Sequence, residues 1–316
     1  MNGVLWAAVA GITFGLFQSV NRGTLVEMDV YESTFIQLLV SSAVLVAAMV
    51  VARDLGRLSQ VPWAAYVDFG LAGVVHFLGG WTLLNMSQKR LGAARTSPLL
   101  ATVPLFGAAL AAVTLHETPS VLSLVGMATI VAGVYVVQTE RVRRVARVSS
   151  GMEGTDAGPG SGEGVPLGTR LAASSFGLGA ALAWAVSPVF IRKGLDQYDS
   201  PLLGVTIGVF FATSAYGLLI VARGRRRRET RGPAPRQALN WKIVAGVLVG
   251  LATWTRWYAL SLSPVAVVLS LGLLSVPTVI ALAPVAAGRH LERVTASVVA
   301  GSALVVAGAL VLILQP

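Results

Sequence analysis

The chain is a succession of apolar runs, each near the length a helix needs to cross a hydrocarbon layer of about 30 Å at about 1.5 Å per residue. Ten are legible, at roughly 3–21, 31–52, 63–86, 95–115, 119–138, 171–192, 201–222, 241–262, 264–287 and 294–314. Charge is scarce and gathered between them. Only 12% of residues are charged, against about 25% in soluble domains. Too few remain to coat a water-facing surface. The expected fold class is an all-α membrane protein with ten transmembrane helices, a multi-pass protein of the cell (inner) membrane. The opening "MNGVLWAAVAG" lacks the basic start of a signal peptide and reads as the beginning of the first span. No cysteine is present, which excludes a disulfide framework or thiolate metal site. No metal or other cofactor is expected.

Two stretches interrupt the apolar pattern. Residues 139–169, "TERVRRVARVSSGMEGTDAGPGSGEGVPLGT", begin basic and turn Gly/Ser-rich, as a flexible linker does. Residues 223–238, "RGRRRRETRGPAPRQA", are strongly basic and hold two prolines. The first stretch divides the chain into a five-helix repeat at 1–138 and a second at 170–316.

The two parts align. "GLFQSVNRG" (15–23) falls on "VSPVFIRKG" (186–194), so Arg22–Gly23 meets Lys193–Gly194. Leu84–Pro104 falls on Trp257–Pro277, and the same offset sets Trp81 on Trp254. "LHETPSVLSLVGMATIVAGVYVV" (115–137) falls on "HLERVTASVVAGSALVVAGALVL" (290–312) after a two-residue insertion between Pro277 and Glu292. Glu117 then meets Glu292, Gly126 meets Gly301 and Gly133 meets Gly308. An odd number of spans per repeat inserts the second copy upside down. Many secondary transporters are built so, with a site near the bilayer midplane.

Residues 91–137, "LGAARTSPLLATVPLFGAALAAVTLHETPSVLSLVGMATIVAGVYVV", resemble the signature half of EamA-type transporters in the drug/metabolite transporter superfamily. The shared pattern is a Gly/Ala-rich helix, a proline within it, an acid at the turn and a Gly-x6-Gly helix. The second half repeats it from Leu262 onward, with "GRHLE" at its corner as a departure. The resemblance covers nearly the whole chain and is specific for fold, weak for substrate. It implies a carrier of amino acids, nucleosides, sugars, drugs or related metabolites.

Lys and Arg are unevenly placed. Loops after odd-numbered spans hold 19, and the other side holds 4. The positive-inside rule then puts both termini outside, whereas EamA-type relatives have them inside. The run Arg225, Arg226, Arg227 and Arg228 reads as an orientation signal and a contact to anionic lipid headgroups. A net charge of +10 does not imply nucleic acid here, because no nucleic-acid-binding module has room to form.

Ionisable groups inside a membrane face a cavity by default. Arg256 lies within "LATWTRWYALSLSP" (251–264), about 9 Å by helix rise from the end of its span. It either snorkels to the interface or meets an anionic or aromatic ligand. Gly246, Gly250, Thr253 and Trp257 form a stripe at its edge, opening space for a substrate or another helix. His76, near the middle of the symmetry-related span, is a core imidazole or a cavity group. Gln18, Asn21, Gln37 and Asn85 are candidates for interhelical hydrogen bonds, and Gln18 also for the ligand. Trp81 and Trp254, matched by the repeat, are expected to wall a pocket together with Trp257, and Trp184 less so. Pro104 and Pro277 interrupt two spans at matched positions and are candidate hinges. Glu117 and Glu292 read as caps at helix starts. His116 and His290 read as solvated turn residues.

No carboxylate lies in mid-membrane, so proton coupling would fall to His76 or Asp68. No P-loop, HExxH or nucleophile elbow is present, so an ATP motor or recognisable hydrolase is not expected. The leading function is a secondary transporter of a small polar or amphipathic metabolite working by alternating access. It acts as a monomer or homodimer. A membrane-embedded lipid-modifying enzyme and a non-transporting scaffold are the alternatives. The first lacks clustered His, Asp and Glu, and a channel would need a continuous polar stripe.

Overall fold

The computed structural model describes residues 2–24, 30–91, 99–100, 102–149, 167–222, 236–286 and 296–314. Among them every regular element is helical. The α-helices are α1 (Asn2–Thr24), α2 (Val30–Val51), α3 (Trp63–Gly73), α4 (Thr82–Leu91), α5 (Val103–Thr114) and α6 (Val121–Ser149). Then come α7 (Leu167–Gln197), α8 (Pro201–Ala222), α9 (Arg236–Leu262), α10 (Val265–Leu271), α11 (Ser275–Ala286) and α12 (Ala296–Ile313). A wide π turn, Val74–Trp81, joins α3 to α4, and a tight 3₁₀ turn, Gly272–Leu274, joins α10 to α11.

Seven of the expected spans are long and apolar enough to cross a membrane. Three more, Val103–Thr114, Val121–Val137 and Val265–Val279, are apolar but shorter. The outer surface suits lipid. Val51, Trp63, Val113, Val121, Leu218 and Val221 are each 73–85% exposed, and in water an apolar surface of that extent drives association.

The expected linker is shorter than 139–169. α6 continues to Ser149 and α7 starts at Leu167. "TERVRRVARVS" holds no glycine or proline, and arginine is a good helix former, so the helix runs on past its apolar part. Residues 150–166, the basic run Arg225–Arg228 and the turn carrying Glu292 and His290 lie outside the described residues.

The principal pairings cross between the part before residue 139 and the part after 169. α1 lies along α9, α6 along α12, α2 on α8 and α9, α3 and α4 on α7, and α5 on α7 and α10. The α6–α12 contact shows why glycine is needed. A Cβ on Gly133 would stand 2.6 Å from the Gly301 carbonyl oxygen, and one on Gly308 2.7 Å from that of Gly126. Only small residues let membrane helices meet backbone to backbone. Gly246 and Gly250 act likewise, but toward a helix rather than a ligand: Gly246 faces Val40 and Gly250 faces Ser41, both on α2. Ser41 secures that contact by donating to the Gly246 carbonyl at 2.8 Å.

Pro104 does not interrupt α5; it occupies the first turn of that helix, where the missing N–H is no loss. Pro277 lies in the first turn of α11, directly after the 3₁₀ turn. The break in that span comes from Gly272–Leu274, with the proline beside it.

Candidate functional site

A cavity of about 160 Å³ opens among the helices. α1 contributes Ala7, Gly11, Phe14 and Gln18. The π turn contributes His76, Phe77 and Trp81, and α7 contributes Trp184. Thr253, Arg256 and Trp257 come from α9, and Leu269 to Val276 close the wall along the broken helix.

The π turn decides what the third span shows the cavity. Five residues along an α-helix carry a side chain about 140° around the axis. The i→i+5 pattern of a π turn instead brings such positions nearly one above the other. His76 and Trp81, five apart, therefore share the cavity wall. α9 has no such turn. Its Trp254 packs, half-buried, against the core and does not line the cavity. Of the expected pair, Trp81 lines this cavity and Trp254 does not; Trp257, one turn on, does.

His76 is held on three sides. Its Nδ1 is 2.9 Å from Ser187 Oγ on α7. Its ring stacks on Trp184 with centroids 5.8 Å apart and 22° between planes. The Trp184 Nε1 donates to the His76 carbonyl at 3.1 Å. Gly80 makes the approach possible, since a Cβ there would collide with the Trp184 indole. Trp184 is thus structurally tied to His76, more than its sequence position alone suggested. Next to it, Pro188 sits inside α7 and withholds the N–H that the Trp184 carbonyl would otherwise accept.

Arg256 is half-buried and lines the cavity. No described carboxylate pairs with it. The buried Trp81 Nε1 likewise has no acceptor among the described residues. Asp68 is not at the cavity; its Oδ2 accepts from Gln197 at 2.7 Å in an exposed position.

Residues 1–139 match the EamA-like transporter family. A crystal structure shares the fold with a TM-score of 0.69 at 20% identity, over 98% of this chain and 94% of its own. No curated protein matches. The chain is thus similar over residues 1–139 to a transporter family, and its seven helices long and apolar enough to cross a membrane suit a multi-pass membrane protein.

Two polar clusters lie away from the cavity. Lys242, which charge counting assigns to a loop, is 1% exposed inside α9. Its Nζ donates to Asn21 Oδ1 of α1 and, at 3.0 Å, to Gln37 Oε1 of α2. Asn21 and Gln37 thus do hydrogen-bond between helices, to a partner that charge parity had misplaced. The side chain of Asn85 lies outside the described residues.

Glu117 caps a helix other than its own. Its Oε2 accepts from the Val265 N–H at 2.8 Å, at the start of α10. Arg192 lies 3.3 Å from Glu117 Oε1 and donates to the Leu260 carbonyl at 2.6 Å. Arg192 is carried by α7. His116, beside Glu117, is exposed at a turn with φ 55°.

Proposed function

We propose that the protein is a secondary carrier in the cell (inner) membrane, moving a small polar or amphipathic metabolite by alternating access between two inverted five-helix halves, 1–138 and 170–316. The observation that carries this is the shared cavity. Gln18, His76 and Trp81 reach it from before residue 139, and Thr253, Arg256 and Trp257 from after 169. A pocket walled by both halves opens to one side or the other when they rock.

The reciprocal glycine contacts support an inverted repeat of ten spans. Gly126 meets Gly308 and Gly133 meets Gly301, whereas the internal alignment equates Gly126 with Gly301 and Gly133 with Gly308. A twofold operation relates contacts in that crosswise manner. The substrate-binding residues are Gln18, His76, Trp81, Arg256 and Trp257. Trp254 acts behind them as packing. Pro104 and Pro277 mark the ends about which α5 and α11 pivot.

The test is reconstitution into vesicles with counterflow of labelled metabolite pools. Exchange above that of empty vesicles, abolished by Arg256→Ala with expression intact, is the expected result. Exchange unchanged by Arg256→Ala returns the arginine to snorkelling at the interface. No exchange across the panel, with turnover of lipid instead, overturns the carrier reading.

A further inference from the structure

We infer that the cavity selects organic monoanions with an aromatic or bulky apolar body and no free ammonium group. This deepens the carrier reading and rests on it for transport, but not for binding. Among the described residues the cavity wall holds one guanidinium, that of Arg256, and no Asp or Glu. Arg256 has no carboxylate partner among the described residues, and the buried Trp81 Nε1 has no acceptor. The Thr253 hydroxyl already donates within its own helix, to Val249 at 2.7 Å.

Among the described lining residues the one charged group is thus a donor without an acid, and the Gln18 amide offers both a donor and an acceptor. An incoming carboxylate pairs with that guanidinium, and charge-assisted hydrogen bonds are about twice as strong as neutral ones. An ammonium group finds no acid and shares the space with a like charge. Indole faces attract cations, but the Arg256 guanidinium already places a positive charge in the same wall and is suited to stack on a ligand ring. Apart from Gln18, His76 and Ser275 the rest of the wall is apolar and aromatic, with Phe14, Phe77, Trp184 and Trp257 beside Leu269. A volume of about 160 Å³ holds on the order of ten to fifteen water-sized atoms, the size of an aryl-alkanoate.

The experiment is a tryptophan-fluorescence titration of the purified full chain with 3-phenylpropanoate, 3-phenylpropanamide and phenylalanine. The carboxylate is expected to bind about 10- to 100-fold more tightly than the amide, and more tightly than the zwitterion. Arg256→Gln, with unchanged thermal melting, erases the preference. Equal binding of acid and amide overturns the inference, as does tighter binding of phenylalanine or no binding by any of the three. If Arg256→Gln fails to fold, the wild-type series still decides. Vesicle uptake separates the two readings: the acid bound but never moved sinks the carrier and leaves this inference standing, and phenylalanine moved while the acid is ignored does the reverse.

Discussion

Glu117 caps a helix that begins 148 residues further along the chain. A carboxylate at a turn next to a helix start reads as a cap of that helix, because the N-terminal N–H groups there are unsatisfied. Which helix start it reaches is a matter of packing. Arg192 adds a second tie, so its loss strands the carboxylate and the Leu260 carbonyl together. Arg192→Ala is expected to lower stability by about 1–3 kcal/mol, read by thermal melting in detergent; an unchanged melting temperature would refute it. Lys242 poses the opposite case, a buried nitrogen served by two neutral amides. Gln37→Leu removes one acceptor and should cost about 1–3 kcal/mol. Adding Lys242→Met removes the stranded donor as well, so the double variant should melt above the single. A double variant that melts lower would show that Lys242 gains more from its site than the hydrogen bonds account for.

At the scale of elements, the π turn and the glycine contacts carry the most weight. Neighbouring glycines in Val74–Trp81 differ sharply. A Cβ on Gly79 meets nothing nearer than the Val74 carbonyl oxygen at 3.9 Å, whereas one on Gly80 collides with Trp184. Gly79→Ala should therefore be neutral, or stabilising by up to about 1 kcal/mol. Gly80→Ala should displace Trp184 from His76 and change the tryptophan emission. Equal melting and equal emission in the two variants would refute the role given to Trp184. Between α6 and α12 the backbones touch, so Gly133→Ala is an overpacking change of about 1–3 kcal/mol. Gly56→Ala, with nothing within 4 Å, is the control and should stay within about 0.5 kcal/mol. Similar losses in both would mean that the close approach is not what holds the pair. Such contacts were visible in the sequence as a Gly-x6-Gly spacing, although the partner of each glycine was not.

For the whole molecule, orientation is an electrostatic matter. With 19 Lys and Arg assigned to loops after odd spans and 4 to the other side, the charge rule puts the termini outside. Removing Lys242 from the loop set, since it is buried in α9, leaves the asymmetry nearly intact. A fluorescent protein that matures only in the cytoplasm, fused after Pro316, should stay dark; a bright fusion would overturn the charge argument. Much else was legible in advance. Apolar runs without charge admit only backbone that satisfies its own hydrogen bonds, so the all-helical membrane class followed from composition and run length alone. The resemblance to EamA-like transporters followed from the spacing of glycines, a proline and an acid, which are local in sequence. The face each helix turns inward was not local. An i→i+5 turn in one span and none in its counterpart brought Trp81 to the cavity and left Trp254 in the core. The burial of Lys242 and the far cap at Val265 were settled in the same way, by groups more than a hundred residues apart. Periodicity and composition report the solvent each residue prefers, and only the packed bundle decides which neighbour it meets.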